Sequence, residues 1–246
     1  MIAAAHQPNF FPWLGFFTKL ACCDTFILLD DIQIIKTGGS WTNRVSIKVA
    51  DAAVFITAPL SRSYHGLLDI KDVHYSTEPH WRDKLLKTIR QNYSRAKYYK
   101  EIINDIEELM PHPGANLLKS NTNAIKQLAE KLGIHTTMRL SSEFDCAAHR
   151  STARLICLTQ AAGCSVYLAG DGAVAYQDNM SFAQAGIDTY SMKFDHPLYE
   201  QCKGPFIPGL SVIDAAMHIG FEQAGIHCMR KAEKILLDKT RGSNNA

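Results

Sequence analysis

Short apolar runs and amphipathic stretches alternate along most of the chain, and this alternation predicts an α/β fold. Residues 1–5 and 25–29 are continuous apolar runs, which are typical of strands buried on both faces of a parallel sheet. Between them, residues 13–23 carry apolar side chains at helical spacing. Strand, loop, helix and strand therefore open the chain as a βαβ unit.

Helical patterns dominate the middle of the chain. Ser76 and Thr77 stand just before Pro79, which places capping residues and a proline where a helix begins. Gly133 closes the last of these patterns as a C-terminal cap. The pattern predicts strands at 45–49, 54–57 and 68–73, then helices at 79–92, 97–110 and 121–132, then strands at 135–138, 166–169 and 187–192 with helices at 151–162 and 211–219.

A chain of 246 residues with 46% hydrophobic content suits one large domain with a sizeable core. We expect a single α/β domain over residues 1–240, with a mostly parallel sheet and a Rossmann-like or nucleotidylyltransferase-like architecture. Residues 78–133 would form a helical insertion or subdomain, and residues 241–246 a disordered tail.

Charge and cysteine content exclude several classes of protein. The net charge is only +2, so the general basic field of a non-specific nucleic-acid binder is missing, and no nucleic acid is expected as a sequence-specific target. Seven cysteines at irregular spacing favour a reducing cytoplasm over a disulfide framework. No apolar run approaches the roughly 18 residues of a membrane span, and residues 1–5 are too short for a signal-peptide core.

The first candidate site is the loop that follows the first strand, with the sequence HQPNFFPW at residues 6–13. In open α/β sheets, ligands bind beyond the carboxyl ends of the strands. Pro8 and Pro12 hold the backbone extended, so His6, Gln7, Asn9 and Trp13 are candidates to face one ligand. The alternative is a tight connection whose aromatic rings pack in the core and whose amides bind the backbone.

A second candidate is the acidic pair Asp30 and Asp31 at the end of the second strand. Ends of neighbouring parallel strands face the same crevice. Adjacent side chains alternate in direction, so one aspartate is expected to face the crevice cleanly. An ordinary polar strand exit, with one carboxylate capping a turn, is the alternative.

The third candidate is the basic segment KTGGSWTNRVSIK at residues 36–48. Cations and a tryptophan around two glycines suit an anionic ligand with a flat ring, such as a nucleotide. The segment lacks Walker A spacing, and a solvent-exposed basic hairpin explains it equally well. Its candidate binding residues are Lys36, Trp41, Asn43, Arg44 and Lys48.

A fourth candidate lies in the glycine- and proline-rich segment after residue 195. His196, Tyr199 and Gln201 are hard to explain by local structure alone. Ser211 and Asp214 begin a helix, whose N-terminus is an anion site, although helix capping is the simpler explanation for them. Asp171 belongs to a glycine turn after a buried strand, which offers further backbone amides. The motifs for metal ligation, for a nucleophilic serine elbow and for a dinucleotide fingerprint are all missing.

Together, these segments resemble the WbqC-like protein family. The resemblance is carried in order by HQPNFFPWLGFFTKL at 6–20, DTFILLDDIQ at 24–33, WTNRVSIK at 41–48, YLAGDGAVAYQD at 167–178 and HPLYEQCKGPFIPGLSVIDAAMHIG at 196–220. They span nearly the whole chain, and the first and last are long enough to be specific.

The resemblance implies an enzyme of bacterial O-antigen or lipopolysaccharide biosynthesis, an N-acyl- or aminoacyltransferase that acts on the amine of a nucleotide-linked amino-sugar. His6 would be the general base, and Asp30 or Asp31 would orient it or hold the ammonium group. Lys36, Arg44 and Lys48 would bind a pyrophosphate or a phosphopantetheine, Trp41 would stack on a ring, and Asn43 would bind hydroxyl groups. The other side of the pocket would be closed by His196, Tyr199 and Gln201.

The resemblance requires no metal or resident cofactor, and the acyl donor would be a thioester of an acyl carrier protein or of CoA, or would be made with ATP. Two other hypotheses stay open: an ATP-dependent amide ligase related to nucleotidylyltransferases, and a non-catalytic protein that binds a nucleotide-sugar. A covalent intermediate on Cys202 would require a basic neighbour that lowers the thiol pKa.

Overall fold

The computed structural model describes residues 1–34, 40–61, 66–170, 178–202 and 204–242, with backbone alone for 234–242. In chain order the elements are β1 (Ile2–His6), α1 (Leu14–Ala21), β2 (Thr25–Leu28), β3 (Arg44–Val49), β4 (Ala52–Thr57), α2 (Trp81–Tyr93), α3 (Tyr99–Leu109), α4 (Leu117–Lys131), β5 (Thr137–Leu140), α5 (Ser151–Ala161), β6 (Val166–Gly170), α6 (Asn179–Gln184), β7 (Asp188–Met192) and α7 (Val212–Gly242).

The central sheet has five strands in the order β5-β2-β1-β6-β7, and all of its pairings are parallel. The prediction of an α/β fold with a mostly parallel sheet is confirmed. The chain first builds outward from β1 through β2 to β5, and then returns to place β6 on the other side of β1. This is the strand order of a Rossmann-like sheet, with its switch point between β1 and β6.

The two strands at the switch point separate toward their carboxyl ends. Their ladder pairs Ile2 with Val166 and Ala3 with Tyr167, and it ends there, although β1 continues to His6 and β6 to Gly170. On its other side, β1 stays paired with β2 as far as His6. A split therefore opens between β1 and β6 at the edge where ligands bind in such sheets.

Helices cover both faces of the sheet because its central strands β2, β1 and β6 are apolar on both sides. The larger core joins Phe26 and Leu168 of the sheet to α1, to the start of α7 and to the helices of the 81–131 region. The smaller core joins Ala5, Ile27 and Tyr167 to α5 and α6. Burial of these strands on both faces is what the continuous apolar runs of the sequence predicted.

Strands β3 and β4 form a separate antiparallel hairpin, as predicted, around a turn at Ala50 with a φ of 53°. Residues 68–73, predicted as a strand, instead hold a 3₁₀ turn at Ile70–Asp72. The backbone of this segment bonds to the stretch after β2, since Lys71 N–H donates to Asp30 O and Ile70 N–H to Ile32 O. These contacts bend the segment around the end of the sheet, and a regular ladder does not form.

The predicted helix at 211–219 is the first part of α7, which resumes after a kink at Gly220. Gly220 has a φ of 81°, and a Cβ there would stand 3.2 Å from the Tyr98 ring. Only glycine fits this position without strain. The tail beyond residue 242 lies outside the described residues.

Cys146 and Cys157 form a disulfide, whereas the sequence predicted no disulfide framework. The free cysteines are Cys22, Cys23, Cys164, Cys202 and Cys228. Across the described ranges, no helix is both long and apolar enough to cross a membrane.

Candidate functional site

His6 ends β1 at the switch point of the sheet. Its half-buried ring packs edge-on against Phe16, with centroids 5.1 Å apart. The Nδ1 atom lies 3.1 Å from Gln7 O, and a carbonyl oxygen can only accept, so Nδ1 carries the hydrogen. The lone pair is therefore on Nε2, the atom that a general base uses.

The pKa of His6 depends on its burial and on the charge of a buried lysine nearby, Lys19. Burial, together with the positive charge of Lys19, lowers the pKa of His6 to about 4, although the hydrogen bond to the Gln7 carbonyl opposes both effects. The imidazole is therefore unprotonated at neutral pH and available to accept a proton. It is also a weaker base than a histidine with an ordinary pKa.

Lys19, on α1, is a candidate that the sequence analysis missed. The side chain is only 5% exposed, and Nζ donates to Ala5 O over 3.0 Å. Burial lowers the pKa of Lys19 to about 8. The sequence did carry a signal, because Lys19 is the only charged residue in the helical segment Leu14–Ala21. The structure buries every residue of this segment as far as Leu20.

The loop after β1 is fixed by backbone contacts to the turn before β3. Phe10 N–H donates to Trp41 O over 2.8 Å. The amide of Asn121, on α4, donates to Pro8 O and to Thr42 O over 2.8 and 2.7 Å, and it accepts from the Tyr75 hydroxyl. The first and third candidate segments are therefore held side by side.

Asn9 lies within this loop and is 6% exposed. Its Oδ1 is a buried acceptor for which the described residues supply no donor. A buried polar atom without a partner is costly, and such atoms are often met by a ligand or water. Asn9 therefore remains a binding candidate on structural grounds.

The turn before β3 and the neighbouring strand β4 together present an aromatic and cationic surface. Trp41 and Phe55 are each about half exposed, and their rings contact edge to face with centroids 5.5 Å apart. The Arg44 guanidinium stacks on Phe55 at 4.4 Å. Asn43 instead points inward and donates to Ala58 O over 2.9 Å, which holds the turn. Lys36 lies outside the described residues.

The acidic pair after β2 is bound by side chains from distant parts of the chain. Asp30 accepts from Ser142 N–H over 2.9 Å and from the Ser142 hydroxyl over 2.6 Å. Asp31 accepts from the Ser141 hydroxyl and forms a buried ion pair with Arg154. Burial alone would raise the pKa of Asp31, but these hydrogen bonds and the Arg154 charge hold it below the usual value. Both carboxylates thus fasten β2 to the start of the segment after β5.

His196 packs against Trp13, the last residue of the loop after β1. Its ring lies 5.1 Å from the Trp13 ring and 5.0 Å from that of Phe194, and Nδ1 accepts from Gly209 N–H over 3.2 Å. Burial lowers the pKa of His196, opposed by Asp195. The accepting Nδ1 leaves the hydrogen of the neutral ring on Nε2, so His196 is arranged as a hydrogen-bond donor.

Asp214 is the centre of a second buried network. It accepts from the hydroxyl of Tyr93 over 2.9 Å, from that of Tyr199 over 2.8 Å and from the Gln201 amide over 2.9 Å. Gln201 Oε1 in turn accepts from the Lys48 ammonium over 3.1 Å. Burial and the Asp214 charge raise the pKa of both tyrosines, so both stay protonated donors.

This network borders a cavity of about 330 Å³. Its wall consists of Lys48, Val49, Ala50, Gln91, Asn92, Tyr93, Ser94, Arg95, Cys202 and His218. The His218 ring accepts from Cys202 N–H at Nε2 over 3.0 Å and faces Asp214 O at Nδ1, which fixes the Nδ1–H tautomer. Burial raises the pKa of the Cys202 thiol, which argues against a nucleophilic thiolate there.

Ser211 joins the loop after β1 to α7. Its hydroxyl donates to Phe11 O over 2.8 Å and accepts from Ile213 N–H over 3.2 Å. This is the capping role that the sequence favoured for Ser211, whereas Asp214 is committed to the buried network and does not complete a capping box. Asp171, at the glycine turn after β6, lies outside the described residues.

A family model described as the WbqC-like protein family matches residues 7–226. The chain belongs to the WbqC-like protein family. "Uncharacterized protein Rv1507c" of Mycobacterium tuberculosis is 29% identical over 225 residues, which cover 88% of this chain and 93% of that protein. No solved structure matches the chain.

The WbqC-like chain therefore assembles its candidate residues in two groups. The first group is the loop after β1 with the Trp41 turn, His196 and Ser211, each of which contacts that loop. The acidic pair lies at the neighbouring strand end. The second group lies beside the cavity and consists of Lys48, which is part of the cavity wall, with Tyr199, Gln201 and Asp214. Arg44 stacks on Phe55, whereas the Lys48 ammonium donates to Gln201 Oε1 and to Pro205 O, so the two cations belong to different groups. Within the described ranges, no three His, Cys, Asp or Glu side chains cluster to hold a metal.

Proposed function

We propose that this WbqC-like protein transfers an acyl or aminoacyl group to the amine of a nucleotide-linked amino-sugar, in the cytoplasmic part of bacterial O-antigen or related glycan biosynthesis. The observation that carries the proposal is the position and tautomer of His6. His6 ends β1 at the switch point, its Nδ1–H is bound by Gln7 O, and its Nε2 lone pair is left for a reacting proton.

The reaction uses a thioester of CoA or of an acyl carrier protein as the donor. The sugar amine attacks the thioester carbonyl, a C–N bond forms, and the C–S bond breaks. Nε2 of His6 takes a proton from the attacking nitrogen and returns it to the leaving thiolate. The low pKa of His6 makes it a modest base for the first transfer and a ready acid for the second.

The other candidate residues support binding in this proposal. The strand order favours a nucleotide in the crevice beyond β1 and β6, and Trp41 with Arg44 offers a stacking and cationic surface beside the loop. The approach to His6 is proposed to be lined by Gln7, Asn9, Trp13 and His196. The cavity beside Asp214 and Lys48 is proposed to take the remote part of the donor or sugar, with Tyr199 and Gln201 holding its wall. Asp30 and Asp31 position the end of β2.

The test is transfer activity of purified protein with nucleotide-linked amino-sugars and a panel of acyl and aminoacyl thioesters, read as product mass. His6→Ala should lower kcat by about 100- to 10,000-fold, while sugar-nucleotide affinity stays within about tenfold of wild type. His80→Gln removes an exposed histidine outside the site and is the matched control. Equal turnover by wild type and His6→Ala would refute the base assignment.

The strand order also favours a second candidate, an ATP-dependent ligase, because a nucleotide in this crevice need not be part of the sugar. Release of pyrophosphate from ATP that depends on an amino-sugar and a free acid, with no reaction from a thioester, would identify the ligase. Binding of the sugar-nucleotide without turnover under either condition would identify a non-catalytic binding protein.

A further inference from the structure

The split between β1 and β6 contains a buried cation. Beyond Ala3 the two strands no longer pair, and the Lys19 ammonium donates to Ala5 O on the unpaired part of β1. A Cβ placed on Gly170, at the end of β6, would lie 4.0 Å from Nζ. Lys19 therefore reaches both separated strand ends from α1.

The charge of Lys19 is not matched by the residues that the structure describes. Among them, no carboxylate forms an ion pair with Lys19, since the ion pairs all involve other cations. The thiol of Cys23 is near, but burial raises its pKa, so it stays uncharged. His6 is unprotonated at neutral pH, and an imidazole offers no negative charge in either protonation state.

Such an arrangement is costly unless something else binds the ammonium. Burying an unpaired charge carries a large desolvation penalty, and an ammonium has three N–H donors, of which Ala5 O accounts for one. An apolar side chain on α1 would fill the same space without that penalty. A cation retained there is explained by an anion that enters the split.

We infer that the split between β1 and β6 is an oxyanion-binding site, in which the Lys19 ammonium binds a phosphate or carboxylate group of the ligand. The position next to His6 brings that anion close to the group that moves the proton. The inference deepens the proposed function and rests on it only for the identity of the natural ligand, which would be the pyrophosphate of a nucleotide-linked sugar. Anion binding itself can be measured without any transfer reaction.

Binding of inorganic pyrophosphate by calorimetry is the first measurement, with acetate as the carboxylate probe. Lys19→Met keeps the length of the side chain and removes the charge, so the protein should fold, and thermal unfolding checks this. We expect pyrophosphate affinity to fall about 10- to 100-fold, the loss of a charge-assisted hydrogen bond. Tight binding of pyrophosphate with weak binding of acetate assigns a phosphate, and the reverse assigns a carboxylate.

A second variant separates anion binding from a purely structural role of Lys19. Gly170 is not in the left-handed region, so Gly170→Val is compatible with its backbone and places methyl groups in the split while Lys19 stays charged. Gly170→Val should weaken pyrophosphate binding and leave the pKa of His6 in the free protein unchanged. Lys19→Met should weaken binding and raise the pKa of His6, as followed by NMR of the imidazole.

The outcomes for the site and for the enzyme are distinguishable. Pyrophosphate and acetate affinities that are the same in wild type, Lys19→Met and Gly170→Val would overturn the anion site, even if transfer activity is found. Binding that requires Lys19 and an open split, in a protein without transfer activity, would uphold the anion site and refute the proposed function.

Discussion

Removal of the Asp214 carboxylate tests how much of the stability depends on the second buried network. Asp214 is fully buried and accepts from Tyr93, Tyr199 and Gln201. Asp214→Ala leaves these three donors without their acceptor. Each unsatisfied buried group costs about 1–3 kcal/mol, so three donors without an acceptor cost about 3 kcal/mol or more in all.

We therefore expect Asp214→Ala to lower the free energy of unfolding by about 3–5 kcal/mol and Tm by about 10 °C for a chain of this size. Urea denaturation followed by circular dichroism measures the change. Tyr199→Phe, which removes a single donor to the same carboxylate, is the graded control and should cost about 1.5–3 kcal/mol. A loss below about 1 kcal/mol for Asp214→Ala would show that water from the adjoining cavity satisfies the donors and that the network is not structural.

The remaining predictions concern pH and backbone strain. Since the pKa of His6 is lowered to about 4, the His6 imidazole signals followed by NMR should titrate with a midpoint near pH 4, and a midpoint near the ordinary histidine value of about 6.5 would contradict the assignment. Lys19→Met should move this midpoint to higher pH. Gly220→Ala should destabilise the fold by about 1–3 kcal/mol or more, because it combines a φ of 81° with a Cβ 3.2 Å from the Tyr98 ring. Gly133→Ala shares the positive φ but has open space around it, so equal losses in urea denaturation would show that the ring contact contributes nothing.

The sheet was predictable because its strands carry their own signal. A short continuous apolar run with no polar face is best explained as a parallel strand that is covered by helices on both faces. The segments of helical periodicity between these runs predict the helices that connect the parallel strands. The segment at 68–73 shows the limit, since its apolar residues bend around the strand end through bonds to Asp30 O and Ile32 O that local sequence does not encode.

The candidate site was predictable where a motif stands at a strand end, as His6 and the loop after it do. It was not predictable where the deciding partner is distant. The partners of Asp31 are Ser141 and Arg154, more than a hundred residues away. Lys19 was missed for a related reason, because helical periodicity treats a lysine as solvent-facing and cannot reveal that the strands beneath it separate.

The amide of Asn121 connects the helical region at 81–131 to the proposed catalytic loop, because it holds Pro8 O and Thr42 O at once. An engineer who trimmed that region to obtain a minimal α/β core would leave two inward carbonyls without a donor and release the segment that carries His6. Libraries aimed at new specificity should instead keep α4 intact and vary the solvent-facing tips of the β3–β4 hairpin.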